Sequence, residues 1–168
     1  MPEPVHRLLL RMFRQAPPWL RRRIVRLIAP SFTVGAICHI ERADGSVLLV
    51  RQAYRNSWGI PGGLLQRGEA PATAAVREVF EEVGLHIELI GEPAVVVDAD
   101  PQRIDLIFRA RPLIEADADQ ARPSSPEIAE VRWFPADALP ELQTETGQAL
   151  VALARSARSP QARPLHQP

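Results

Sequence analysis

The segment 71–84 strongly constrains what this chain can become. Pro71 suits the first turn of a helix, where its missing N–H costs nothing, and Gly84 suits the position just past a helix end. Between them Val76, Val79, Phe80 and Val83 recur at i, i+3, i+4 and i+7, the stripe of a helix that faces a core. At 100° per residue, Glu78, Glu81 and Glu82 fall on the opposite side, with Arg77 on the flank. That charge arrangement is unfavourable by itself. Like charges at i, i+4 cost about 0.2–0.5 kcal/mol, and negative charge in the last turn opposes the macrodipole by roughly 0.3–1 kcal/mol. The chain contains no lysine to offset either effect. A solvated acidic face is the bland alternative. A bound divalent cation reverses the sign of both terms, and hard cations take oxygen ligands together with water and phosphate.

The surrounding spacing narrows the choice. Gly63 is followed after five residues by Glu69, and after seven more by Arg77-Glu78, an aliphatic residue, any residue, Glu81-Glu82, any residue, Gly84 and the aliphatic Leu85. In this the chain resembles the Nudix hydrolase superfamily, whose box it matches at every defined position. Nine constrained positions in 23 residues are far more specific than a short glycine motif.

With 168 residues, 46% of them apolar, the chain suits one domain with a real core. Its single cysteine, Cys38, lies in an apolar run and reads as a buried structural thiol. No run of 18 apolar residues predicts a transmembrane helix, and no secretory signal is evident, so a cytoplasmic location is expected. The zero net charge is unevenly spread: residues 1–30 hold seven arginines and one acid.

That basic segment predicts two short amphipathic helices, 4–15 and 19–28, split by Pro17 and Pro18. It is expected to pack on the domain or across a homodimer, with peripheral contact to an anionic membrane as the sharper alternative. It is too short for a winged-helix DNA-binding unit, so no specific nucleic acid is expected. Strands are predicted at 32–40, 47–52, 85–90, 94–97, 104–108 and 128–134, with a final helix at 144–157. Residues 158–168 read as a disordered tail. The division is thus 1–30, 31–157 and 158–168, and the fold class is α/β. It agrees with the α/β/α sandwich with a mixed sheet that the resemblance implies over roughly residues 31–155.

The resemblance also implies chemistry: metal-dependent hydrolysis of a nucleoside diphosphate linked to another moiety (a nucleoside triphosphate, ADP-ribose or a nucleotide sugar), with Mg²⁺ or Mn²⁺ as cofactor. It makes Glu78 and Glu82, then Glu81, the best ligand candidates, with one of them free to act as a general base. The Gly63 carbonyl is a further ligand, since glycine permits close backbone approach. Glu69 either tethers the loop or touches the metal shell. Arg77 is expected to hold a glutamate by charge-assisted hydrogen bonds. Glu127, six residues before Trp133, is implied as a ligand or base from a loop, with Glu130 as the fallback. For substrate binding the candidates are Arg51 for a phosphate, with a surface ion pair as the alternative, and Tyr54 and Trp58 for stacking on a base, with packing under the loop as the alternative for Trp58. Pro101, 16 positions after Leu85, resembles the proline placement of ADP-ribose pyrophosphatases. Inert members of the superfamily, which bind nucleotides as sensors, generally lose box glutamates; all are present here.

Overall fold

The computed structural model describes residues 11–158. It divides into two compact units, residues 1–32 and 33–168. In the first, residues 11–15 are helical, and helix α1 spans Pro18–Ile28 with Pro18 at its start. The predicted helix 4–15 lies partly outside the described residues, as does the tail from 159 onward; residue 158 closes the last helix.

The second unit is built on a four-stranded mixed sheet in the order β3-β1-β5-β4. Strand β1 (Thr33–Ile40) lies parallel to β5 (Arg103–Pro112), from Thr33 opposite Arg103 to Ile40 opposite Ala110. Strand β4 (Ile87–Asp98) pairs antiparallel with β5, and β3 (Gly62–Leu64) antiparallel with β1. A separate antiparallel ribbon joins β2 (Ser46–Gln52) to β6 (Ile128–Pro135). Helix α2 (Pro71–Val83) carries the acidic segment and α3 (Thr144–Arg158) closes the chain. A short 3₁₀ helix, Glu115–Gln120, precedes β6.

Strand alternation builds two cores. Ala36, Cys38 and Ile40 of β1, Leu48 and Val50 of β2, and Phe108 and Ala110 of β5 point to one side, against Ala74, Ala75, Val79 and Val83 of α2. Their neighbours Ile37, Val47, Leu49 and Ile107 point to the other, against Ala149 and Leu153 of α3. A period of two, with both faces covered by helices, produces this sandwich. Cys38 is buried as expected, its thiol pushed up to about 12 by burial first and by the charge of Glu82 second.

The structure corrects three details. The two predicted short strands at 85–90 and 94–97 are one strand, β4, interrupted by a register shift between Ile90 and Ala94 where Gly91 adopts φ 66°. No strand is predicted between residues 52 and 85, yet β3 lies there, its three residues too few to show a period. The third lies in α2 itself. Its ends fall where Pro71 and Gly84 require, with the Gly84 N–H donating to the Phe80 carbonyl. The buried stripe, however, runs through Ala75, Val79, Glu82 and Val83. Phe80 is 47% exposed and stacks on His86, whereas Glu82 is only 7% exposed. The two alanines bring the helix close to the sheet, and that rotation sends the phenylalanine to the rim.

Candidate active site

The three glutamates of α2 do not form one acidic face. They divide between an arginine-centred cluster and a cavity. In the cluster Arg77 donates from Nε to Oε1 of Glu69 at 2.8 Å and from Nη2 to Oε2 at 2.9 Å. Its Nη1 reaches Glu78 at 2.8 Å and Glu81 at 3.0 Å, and Nη2 also reaches the Leu64 carbonyl at 3.3 Å. Glu69 accepts a further bond from the backbone N–H of Gln66 at 2.9 Å. One guanidinium thus ties the loop before the helix to the middle and last turns of the helix. The Arg77 fork, helped by the Gln66 N–H, holds the Glu69 carboxyl down at about 2. The repulsion read from the sequence is therefore offset in part by an arginine already present.

Glu82 has no such partner. Its side chain accepts the Gly62 N–H at 2.9 Å. Burial, and then the charges of Glu78, Glu127 and Glu81, push its carboxyl up to about 7 against that single favourable bond. Glu78 lies across Gly63: a Cβ there would come 2.5 Å from the Glu78 carboxyl carbon, so any side chain at 63 would push that carboxylate aside. Gly62, at φ 144° and packed against the Ala36 carbonyl, completes the tight passage.

Glu127 is brought to the same place by backbone bonds. The last carbonyls of α2, those of Glu82 and Val83, accept the N–H groups of Ser124 (2.9 Å) and Arg122 (3.1 Å). This satisfies helix-end acceptors that would otherwise lack partners. The Glu127 carbonyl in turn accepts the Ala53 N–H at 2.8 Å, at the end of β2. Glu78, Glu82, Glu127, Gly62 and Gly63 consequently line one cavity of about 450 Å³.

The remaining candidates separate. Tyr54 lines the cavity and is exposed at its mouth. Arg51 does not line it; it is ion-paired with Glu130, which Arg132 also contacts. Trp58 does not line it either: it packs edge-on against Phe134 at 4.9 Å in the second core. Glu81 and Glu69 belong to the arginine cluster and are not among the residues lining the cavity. The opposite wall holds residues that the sequence reading missed. Arg103 grips Asp105 at 2.8 Å, and Arg55 pairs with Glu145 at 3.3 Å, beside Gln52, Gln143 and Thr146. Arg103 and Asp105 fold over Gly35 of β1, where a Cβ would meet Asp105 Oδ1 at 2.1 Å. The same two ion pairs border a neighbouring chamber of about 290 Å³, floored by Ile37, Val96, Ile107 and Ala149, with Pro101 at its edge.

The donor set fits a hard cation. It is all oxygen, and its most buried carboxylate lacks a basic partner. Among the described residues no three acidic, histidine or cysteine side chains converge closely enough to hold an ion unaided. Backbone carbonyl, water and substrate phosphate would have to complete the shell, as is usual for Mg²⁺.

Comparison with known proteins agrees with this geometry. The NUDIX domain model matches residues 31–154. A MutT-like protein of Streptomyces ambofaciens is 30% identical over 116 residues, 69% of this chain and 72% of that protein. A putative 8-oxo-dGTP diphosphatase 3 of Mycobacterium tuberculosis is 33% identical over 121 residues, 67% of this chain but 56% of its own length. Among solved structures, a NUDIX hydrolase from Nitrosomonas europaea superposes with a TM-score of 0.66 at 27% identity, covering 78% of this chain and 76% of that one. The chain belongs to the NUDIX domain family. Within that family it is, by class, a pyrophosphohydrolase.

Proposed function

We propose that the protein hydrolyses a diphosphate linkage in a nucleoside diphosphate joined to a further group, such as a nucleoside triphosphate, ADP-ribose or a nucleotide sugar, with Mg²⁺ or Mn²⁺ as cofactor. The observation that carries this reading is Glu82. A buried carboxylate facing two others, with one N–H for support, is costly unless a cation or a proton compensates it. Glu78, Glu82 and the Gly63 carbonyl would hold the ion, while Glu81 stays with Arg77. A divalent ion there would neutralise phosphate charge and lower the pKa of a bound water.

Glu127 is the best-placed base. It faces Glu82 across the cavity, and no side-chain partner is seen for it among the described residues. It would take the proton of the attacking water as the new P–O bond forms and the bridging P–O bond breaks, with the electron pair leaving on the departing phosphate. Arg77 acts as a positioning residue through its hold on Glu69, Glu78 and Glu81. On the far wall Arg55 and Arg103 are the guanidinium groups available to the substrate phosphates. Tyr54, at the mouth, offers a ring face for a base. Likeness to a putative 8-oxo-dGTP diphosphatase supports a nucleotide substrate.

The test is a panel of nucleoside triphosphates, ADP-ribose and nucleotide sugars with Mg²⁺ or Mn²⁺, following monophosphate and pyrophosphate release. Metal-dependent turnover of at least one class is expected. Tight binding without turnover across the whole panel would instead identify a nucleotide sensor.

A further inference from the structure

The N-terminal unit carries a surface that catalysis does not use. Helix α1 places Leu20, Ile24, Leu27 and Ile28 at i, i+4, i+7 and i+8, one apolar arc. Leu27 and Ile28 are 79% and 77% exposed, and Trp19 is 66% exposed at the start of the same helix. Met12, in the helical turn before it, is exposed as well. Arg22 is exposed on the other side of α1 and Arg23 on the flank of the arc. Residues 4–40 contain no aspartate or glutamate, while residues 1–30 contain seven arginines.

We infer that α1 is an in-plane anchor for an anionic lipid surface. The charge pattern decides among occupants. A second copy docked through this helix would bring two arginine-rich helices together with no acid on either helix to offset them. A nucleic acid would satisfy the arginines but leave Trp19, Leu27 and Ile28 in water. A lipid surface rich in anionic headgroups uses both: the aliphatic arc enters the acyl boundary, the indole sits at the interface, and the guanidinium groups meet the phosphates. The helix has 11 residues and no helix among the described residues is long and apolar enough to cross a membrane, so attachment lies in the interface. The contact is reversible and weakens with salt, since the Debye length falls from about 10 Å at 0.1 M to about 3 Å at 1 M.

Co-sedimentation of the full chain with vesicles tests this. Vesicles of phosphatidylcholine alone are compared with vesicles containing phosphatidylglycerol. Wild type is expected to partition at least tenfold more strongly onto the anionic vesicles and to be released by high salt. Leu27→Asp with Ile28→Asp, and separately Arg22→Glu with Arg23→Glu, should each lower that partition at least tenfold with unchanged circular dichroism and melting. All four residues are exposed, so loss of the fold is not expected. Equal binding to neutral vesicles would overturn the inference, as would full binding by the aspartate variant. So would an oligonucleotide complex indifferent to the aspartates, or a solution dimer that those aspartates dissociate.

Discussion

Two carboxylates of the same box, Glu69 and Glu82, end in opposite electrostatic states. Glu69 is gripped at both oxygens by Arg77 and sits at about 2. Glu82 is buried, carries the repulsion of three other glutamates, two of them across the cavity, and sits at about 7. The motif thus contains two devices. One is a clamp of Glu69, Arg77 and Glu81 that joins the loop to the helix. The other is an unbalanced cavity of Glu78, Glu82 and Glu127, whose missing charge a cation would supply. Glu78 belongs to both, since it accepts from Arg77 and lies across Gly63. The difference teaches that adjacent acids on one helix need not share a role, because the neighbouring segments decide which of them is neutralised.

Breaking the cavity side should have the largest effect. Glu82→Gln is expected to lower metal-dependent kcat by roughly a thousandfold or more, since stabilisation worth several kcal/mol is withdrawn. It should also raise the melting temperature of the metal-free protein, because a buried charge is removed. Wild-type turnover in this variant would show that Glu82 is not a ligand.

Titration is expected to rank next. The folded pKa of Glu82 lies above its unfolded value, so the native state binds more protons than the unfolded chain between pH 4.5 and about 7. The contribution of Glu82 to metal-free stability is therefore fully present below that window and lost as pH rises through it, by about 3 kcal/mol in all. Denaturant unfolding at pH 4.5 and 7.5 reads this directly. Saturating Mg²⁺ should flatten the slope, because the ion takes the place of the proton.

A smaller change is expected on the clamp side. Arg77→Lys keeps the charge but loses the fork. It should cost about 2 kcal/mol of stability, visible in the denaturant midpoint, with a moderate fall in kcat and little change in substrate KM. The smallest effect belongs to Glu81→Gln. That residue is exposed and held by one bond to Arg77, so a change of less than tenfold in kcat is expected from steady-state kinetics. A loss as great as that of Glu82→Gln would move Glu81 from the clamp to the cavity.

The box helix was legible to the residue at both ends, because proline and glycine act locally. Strand positions were legible too, since alternating burial follows from a period of two. Rotation of the helix was not. Hydrophobicity alone puts Phe80 inside and Glu82 outside, and the reverse holds because Ala74 and Ala75 set the close approach to β1. Glu127 came from the resemblance, and the fold places it by backbone bonds. The far wall escaped the sequence reading entirely. Arg55, Arg103, Asp105 and Glu145 lie on three separate segments that meet only through the parallel pairing of β1 with β5 and the docking of α3. The one local hint was Gly35, whose missing side chain admits Arg103 and Asp105. Arg51 and Trp58 lie off the cavity, and the sequence left them open because strand ends and aromatic residues look alike whether they face a cavity or a core.

The bonds that fasten residues 122–127 have a dynamic consequence. The peptides of Arg122 and Ser124 hang from the end of α2, and Glu127 hangs from the end of β2. The amide hydrogens of Arg122 and Ser124, and that of Ala53, which donates to the Glu127 carbonyl, should exchange with solvent as slowly as those of the elements they join, although the segment is irregular backbone. In motion, then, this rim of the cavity belongs to the helix end rather than to a lid: lifting it would strip the carbonyls of Glu82 and Val83 of their partners.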